Sequence, residues 1–106
     1  MNRLEQREVV TLKTVEKRLD FTFLTNHSHV LVCLARDPRM RLRDVATKVG
    51  ITERAVQAII RDLTHAGVLE ISKDGRRNVY SINQDQQLRH AVEEHRTIGD
   101  LLSIVL

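Results

Sequence analysis

The chain has 106 residues, 42% of them apolar, which suffices for one modest hydrophobic core and argues for one domain rather than two. The single cysteine, Cys33, excludes an intramolecular disulfide and a cysteine-built zinc cage. The net charge of +3 is uneven: residues 36–80 carry +4 and residues 81–106 carry −2, so counterion release draws a polyanion to the middle of the chain.

Met1 to Asp20 is highly charged, with Leu4, Val9, Leu12, Val15 and Leu19 spaced near three, a pattern open to an amphipathic helix or to an arm. No signal-peptide layout begins the chain, and the longest apolar run, Val30 to Ala35, is too short to span a membrane. An unexported, cytoplasmic protein is expected. Thr25 or Asn26 can cap a first helix over about His27–Arg36, with Leu24, Leu31 and Leu34 on one face, and Pro38 forbids its continuation. A short segment, Met40 to Arg43, precedes a second helix over about Asp44–Val49, ended by Gly50. Thr52 then caps a third helix running to about His65, in which Val56, Ile59, Ile60 and Leu63 follow the i, i+3, i+4, i+7 rule.

Two β-prone runs follow, Val68–Ser72 and Asn78–Ile82, and read as a hairpin whose turn uses Asp74 and Gly75. From about Gln84 onward the spacing of Leu88, Val92, His95, Gly99, Leu102 and Leu106 in steps of four and three predicts one long helix. Its apolar surface exceeds what one small domain can cover, so those six residues are the candidate dimer interface, with Gly99 allowing close helix approach. The predicted fold is mainly α with a small β-hairpin and a long C-terminal dimerisation helix. The domain plan is an N-terminal arm or helix (1–24), a central domain (25–83) and a dimerisation helix (84–106).

The stretch Arg41 to Leu63 carries the strongest signal. Two helices crossing steeply through a short turn need a small residue at the crossing, a glycine at the turn and branched apolar residues facing back. Ala46, Gly50, Ile51, Val56 and Ile59 stand at those offsets. If the third helix buries Val56, Ile59, Ile60 and Leu63, its opposite face presents Glu53, Arg54, Gln57, Ala58 and Arg61. Arg54 suits guanine O6 and N7, Gln57 suits an adenine edge, Ala58 permits close approach to a thymine methyl, and Arg61 suits a phosphate. Glu53 is the awkward member, acceptable as a partner for cytosine N4 or for the positive end of its own helix. On the hairpin, Lys73, Arg76 and Arg77 surround a glycine, and the two arginines suit a narrow minor groove. With the capping Thr52, these nine residues form the candidate DNA-binding set.

The order of helix, short strand, two helices and basic hairpin over residues 25–83 resembles the winged helix-turn-helix domain of bacterial transcriptional regulators of the MarR and ArsR kind. The resemblance is carried by VATKVGITERAVQAIIRDLTHAGVLE (Val45–Glu70) and DGRRNVYSI (Asp74–Ile82). It implies a third helix in the major groove of double-stranded DNA, a wing on flanking backbone or minor groove, and a two-fold homodimer built by terminal helices. The chain departs from typical MarR proteins in its shorter ends, which leave little room for a ligand cavity between domains. The competing function is a winged domain that binds protein instead of DNA.

His90, Glu94 and His95 make at most a partial metal set, short of the ligands zinc needs, and His27 and His29 point to different faces of a helix. Cys33 reads as a small core residue, with oxidant sensing as the alternative. With no glycine-rich phosphate loop and no nucleophile motif, neither an enzyme nor a cofactor or metal is expected.

Overall fold

The computed structural model describes residues 20–106, so the reading of residues 1–19 lies outside the described residues. The elements in chain order are α1 (Asn26–Arg36), α2 (Leu42–Val49), α3 (Glu53–His65), β1 (Leu69–Asp74), β2 (Arg77–Ile82) and α4 (Ile98–Val105). Residues Asp20–Leu24 form no helix.

Helix α1 starts where Thr25 Oγ1 accepts from the Ser28 amide at 3.3 Å, and stops at Asp37, just before Pro38. Val30, Leu31, Val32, Cys33 and Leu34 are all buried, so α1 is enclosed around its circumference and forms the centre of the core. That is wider than the single face expected from Leu31 and Leu34. Helix α2 packs Val45 and Ala46 against it, and α3 adds Val56, Ile59, Ile60 and Leu63. Leu69 of β1, Tyr80 of β2 and Ile98 and Leu102 of α4 complete the same core.

Between α1 and α2 the expected short strand is a loop. One of its carbonyls, that of Pro38, accepts from the Tyr80 amide at 2.9 Å, so the loop rests on the edge of β2 without forming a ladder. The hairpin is antiparallel, with Leu69 opposite Ile82 and Asp74 opposite Arg77. Its turn is therefore Gly75 and Arg76, one residue later than Asp74 and Gly75. Gly75 takes the positive φ of 63° that a two-residue hairpin turn needs, and Asp74 closes the ladder.

The long C-terminal helix does not form. Residues 83–97 are turns and an extended stretch, and only Ile98–Val105 is helical. The cause is a set of backbone pairings across the segment: Leu88 N to Arg96 O at 2.9 Å, Ile98 N to Gln86 O at 2.8 Å and Gly99 N to Gln84 O at 2.9 Å. These satisfy groups that a continuous helix would satisfy internally. A capping box then starts α4, because Thr97 Oγ1 accepts from the Asp100 amide at 3.1 Å while Asp100 Oδ2 accepts from the Thr97 amide at 3.0 Å.

The six residues assigned to a dimer stripe consequently scatter. Leu102 is buried in its own chain, Leu88 packs half-buried against the core, and Val92, His95 and Leu106 face solvent. Gly99 is close to something, but to Gln84: a Cβ there would meet the Gln84 carbonyl at 3.2 Å. Its small size serves an intramolecular turn.

Candidate nucleic-acid interface

The turn between α2 and α3 is built as the sequence pattern requires. Gly50 ends α2 with φ 85°, a left-handed conformation in which a Cβ is strained, and the amides of Gly50 and Ile51 both donate to the Ala46 carbonyl, at 2.8 and 3.1 Å. Ile51 packs against the core from the turn. Thr52 then caps α3, its Oγ1 accepting from the Ala55 amide at 3.0 Å, a contact that commonly contributes about 1 kcal/mol to helix stability.

This start fixes the rotation of α3. Val56 is completely buried and Ile59, Ile60 and Leu63 nearly so, while Glu53, Arg54, Gln57 and Arg61 are exposed and Ala58 is half-buried at the edge of the same face. Arg54, Gln57 and Arg61 are separated by three and four positions, so they stand one above another over about 10 Å of helix, within the width of a major groove of about 12 Å. Nothing among the described residues is bonded to their side chains. Beside them, a groove of about 230 Å³ separates α3 from the hairpin, with Gln57, Ile60, Arg61, Ile71 and Tyr80 among its lining residues.

On the hairpin, Lys73 and Arg76 are exposed, Arg76 in the turn itself. Arg77 behaves differently from its neighbour. It is half-buried, and its Nη2 donates to the carbonyl of Arg39 in the α1–α2 loop. Its guanidinium thus fastens the hairpin to the body of the domain, a contact the sequence did not foreshadow. Asn78, the next residue, is held by its own Nδ2, which donates to Tyr80 Oη at 3.3 Å, and its buried Oδ1 has no partner among the described residues.

Residues that sequence reading passed over lie on the α1–α2 loop and the start of α2. Arg39, Arg41 and Arg43 are exposed there, and Arg39 Nη2 donates to Asp74 Oδ2 at 2.7 Å. Their signal was present as a cluster of arginines from Arg36 to Arg43, spread across the end of α1, the loop and the first residues of the helix-turn-helix stretch.

The other candidate chemistry does not assemble. Among the described residues no three His, Cys, Asp or Glu side chains come together as a metal site, and His27 is instead bonded to Asp62 at 2.8 Å. Cys33 is buried in α1, and burial pushes its thiol pKa up despite the nearby positive charges of Lys48 and Arg36, so the reactive thiolate is disfavoured. Among the described residues no helix is long and apolar enough to cross a membrane.

Residues 24–70 match a family model described as winged helix-turn-helix DNA-binding. The matched span covers α1, α2, α3 and the first residues of β1, and the basic hairpin follows directly after it. No curated protein and no solved structure matches the chain. The match and the mainly helical architecture with one antiparallel hairpin agree on a winged helix-turn-helix, and they support a DNA-binding regulator whose partner is double-stranded DNA.

Proposed function

We propose that the protein is a sequence-specific transcriptional regulator of the MarR and ArsR kind, which binds double-stranded DNA with α3 in the major groove and the hairpin turn on flanking backbone or minor groove. One observation carries the reading: a helix-turn-helix in which every branched apolar residue of α3 is turned into the core, leaving Arg54, Gln57 and Arg61 on a single exposed face with no bonded partner among the described residues. Each has a matching edge in the groove, Arg54 for guanine, Gln57 for adenine, and Arg61 for a phosphate one turn on. Thr52, Glu53 and Ala58 complete the approach of the helix end, and Lys73 and Arg76 supply the wing contacts.

The functional unit is a homodimer. Regulators that read two half-sites need their recognition helices about 34 Å apart, and the described residues of one chain present only one such helix. Support comes from apolar side chains that are exposed among the described residues: Ile104 and Leu106 on α4 and Phe21 and Phe23 ahead of α1. This interface uses the outer face of α4 and leaves Leu102 in the protomer core.

The test is a titration of the protein against duplex DNA at increasing salt. Binding that falls linearly on a log–log plot, with a slope set by the phosphates contacted, is the expected result. Affinity for a protein partner, with a salt-insensitive or absent response to DNA, establishes the protein-binding alternative and refutes this reading.

A further inference from the structure

At the hairpin turn a guanidinium from elsewhere in the fold is held by a carboxylate. Arg39 Nη2 and Asp74 Oδ2 lie 2.7 Å apart, and Asp74 is the residue immediately before the turn formed by Gly75 and Arg76. Both side chains are open to solvent, 48% and 65% exposed. The rest of Arg39 is fixed without its guanidinium. Its amide donates to Asp37 Oδ1 at 3.0 Å, its carbonyl accepts from Arg77 Nη2, and the neighbouring Pro38 carbonyl accepts from the Tyr80 amide. The loop and the hairpin are therefore joined by contacts that do not need the ion pair, while the Arg39 guanidinium is held, among the described residues, by Asp74 only.

An exposed pair of this kind is weak, because water screens it and two long side chains lose freedom in forming it. It stands beside Lys73 and Arg76, where a wing would meet the phosphate backbone, and Asp74 is the one carboxylate of the hairpin at that end. A duplex brings a row of phosphates to this place. We propose that Arg39 is a further DNA-contacting residue that exchanges Asp74 for a phosphate on binding, and that Asp74 is a competitor which lowers sequence-independent affinity. The inference rests on the DNA-binding reading above and deepens it.

The carboxylate acts at two stages. In the free protein it occupies the guanidinium, and in the complex it places a negative charge beside the phosphates. Both effects oppose binding to any duplex equally and leave the base contacts of α3 untouched, so affinity falls for every sequence while the ratio of specific to non-specific binding constants stays the same. A carboxylate that merely braced the hairpin would have the opposite consequence, since its removal would loosen the wing and weaken binding.

The experiment is fluorescence anisotropy with a labelled mixed-sequence duplex of about 30 base pairs, long enough for about three helical turns, over a range of sodium chloride concentrations. Asp74→Asn binds tighter than the wild type, by up to about fivefold at low salt, the factor equivalent to a surface ion pair of about 1 kcal/mol. Arg39→Ala binds more weakly, and its log–log salt slope is shallower by about 0.9, the value for one lost phosphate contact. Arg39→Lys keeps the wild-type slope, because an ammonium also neutralises a phosphate. Thermal melts of each variant, with Asp74→Ser as a second removal of the carboxylate, separate binding from folding. Asp74→Asn and Asp74→Ser that bind no tighter than the wild type overturn the competitor role, and an unchanged slope in Arg39→Ala overturns the phosphate contact. A wild-type chain that binds no duplex at any salt overturns the parent reading itself, an outcome distinct from either.

Discussion

Leu102→Ala removes three carbons from a side chain that is 2% exposed in the single chain. At about 0.8 kcal/mol per buried CH₂ the transfer loss is about 2.4 kcal/mol, and the unfilled cavity raises it to about 3–4 kcal/mol. Domains of this size have stabilities of about 5–15 kcal/mol, so the change removes a fifth or more of the total and lowers the midpoint of thermal unfolding by roughly 12 °C or more. The neighbouring Ile104→Ala changes a side chain that is 83% exposed, and its effect on the isolated fold stays within about 0.5 kcal/mol. Urea unfolding followed by circular dichroism, at a low and a high protein concentration, measures both. The Leu102→Ala difference from wild type is the same at the two concentrations, because the cavity lies inside one protomer. A loss under about 0.5 kcal/mol, or one that tracks protein concentration, refutes the placement of Leu102 in the protomer core and restores it to a subunit interface.

At the DNA interface, Arg54→Ala and Gln57→Ala each relax sequence preference by about 1–3 kcal/mol, read by competition between selected and scrambled duplexes, whereas Arg76→Ala lowers affinity evenly across sequences. An Arg54→Ala protein with undiminished preference shows that the groove-facing assignment is wrong. The hydrogen bond from the Thr97 backbone, with a further contribution from the Thr97 hydroxyl, holds the Asp100 carboxyl below the usual range. Since folding lowers that pKa, the stabilisation of α4 is complete above the ordinary carboxylate value and is lost as pH falls through the lower folded one. A carboxyl carbon-13 titration of Asp100 therefore has its midpoint below that of an unstructured aspartate, and a midpoint at or above it contradicts the capping box. Burial raises the Cys33 thiol pKa, so at mildly alkaline pH a thiol-reactive reagent labels the native chain far more slowly than the urea-unfolded chain; equal rates dispose of Cys33 as a core residue.

Much of the architecture was legible because its signals are local. A threonine one residue before an apolar periodicity caps α1 and again α3, Gly50 is needed where φ is positive, and the spacing of Val56, Ile59, Ile60 and Leu63 sets which way Arg54 and Gln57 face. Each of these follows from one turn of backbone. The hairpin was legible to within a residue, and its turn was displaced because either Asp74 or Gly75 can open a two-residue turn. Which one does depends on the register that buries Leu69 and Tyr80.

The C-terminal segment shows why periodicity alone misled. Leu88, Val92, His95, Gly99 and Leu102 keep helical spacing, yet a better local signal was also present, the Thr97 and Asp100 pair of a capping box just ahead of an apolar run. Spacing suggests a helix only if nothing else claims the backbone, and here Gln84, Gln86 and Leu88 do so from across the turn.

The amino-acid order by itself determined the caps, the glycine-dependent turn and the rotation of α3, since all of these are decided within four or five residues. Only the tertiary structure decided that Arg77 serves the α1–α2 loop, that Arg39 reaches Asp74 across 35 positions, and that residues 84–88 pair with 96–99 instead of continuing one helix. Those outcomes depend on which distant groups meet once the core around α1 has closed, and a guanidinium or an amide pairs with whatever acceptor that closure brings within reach.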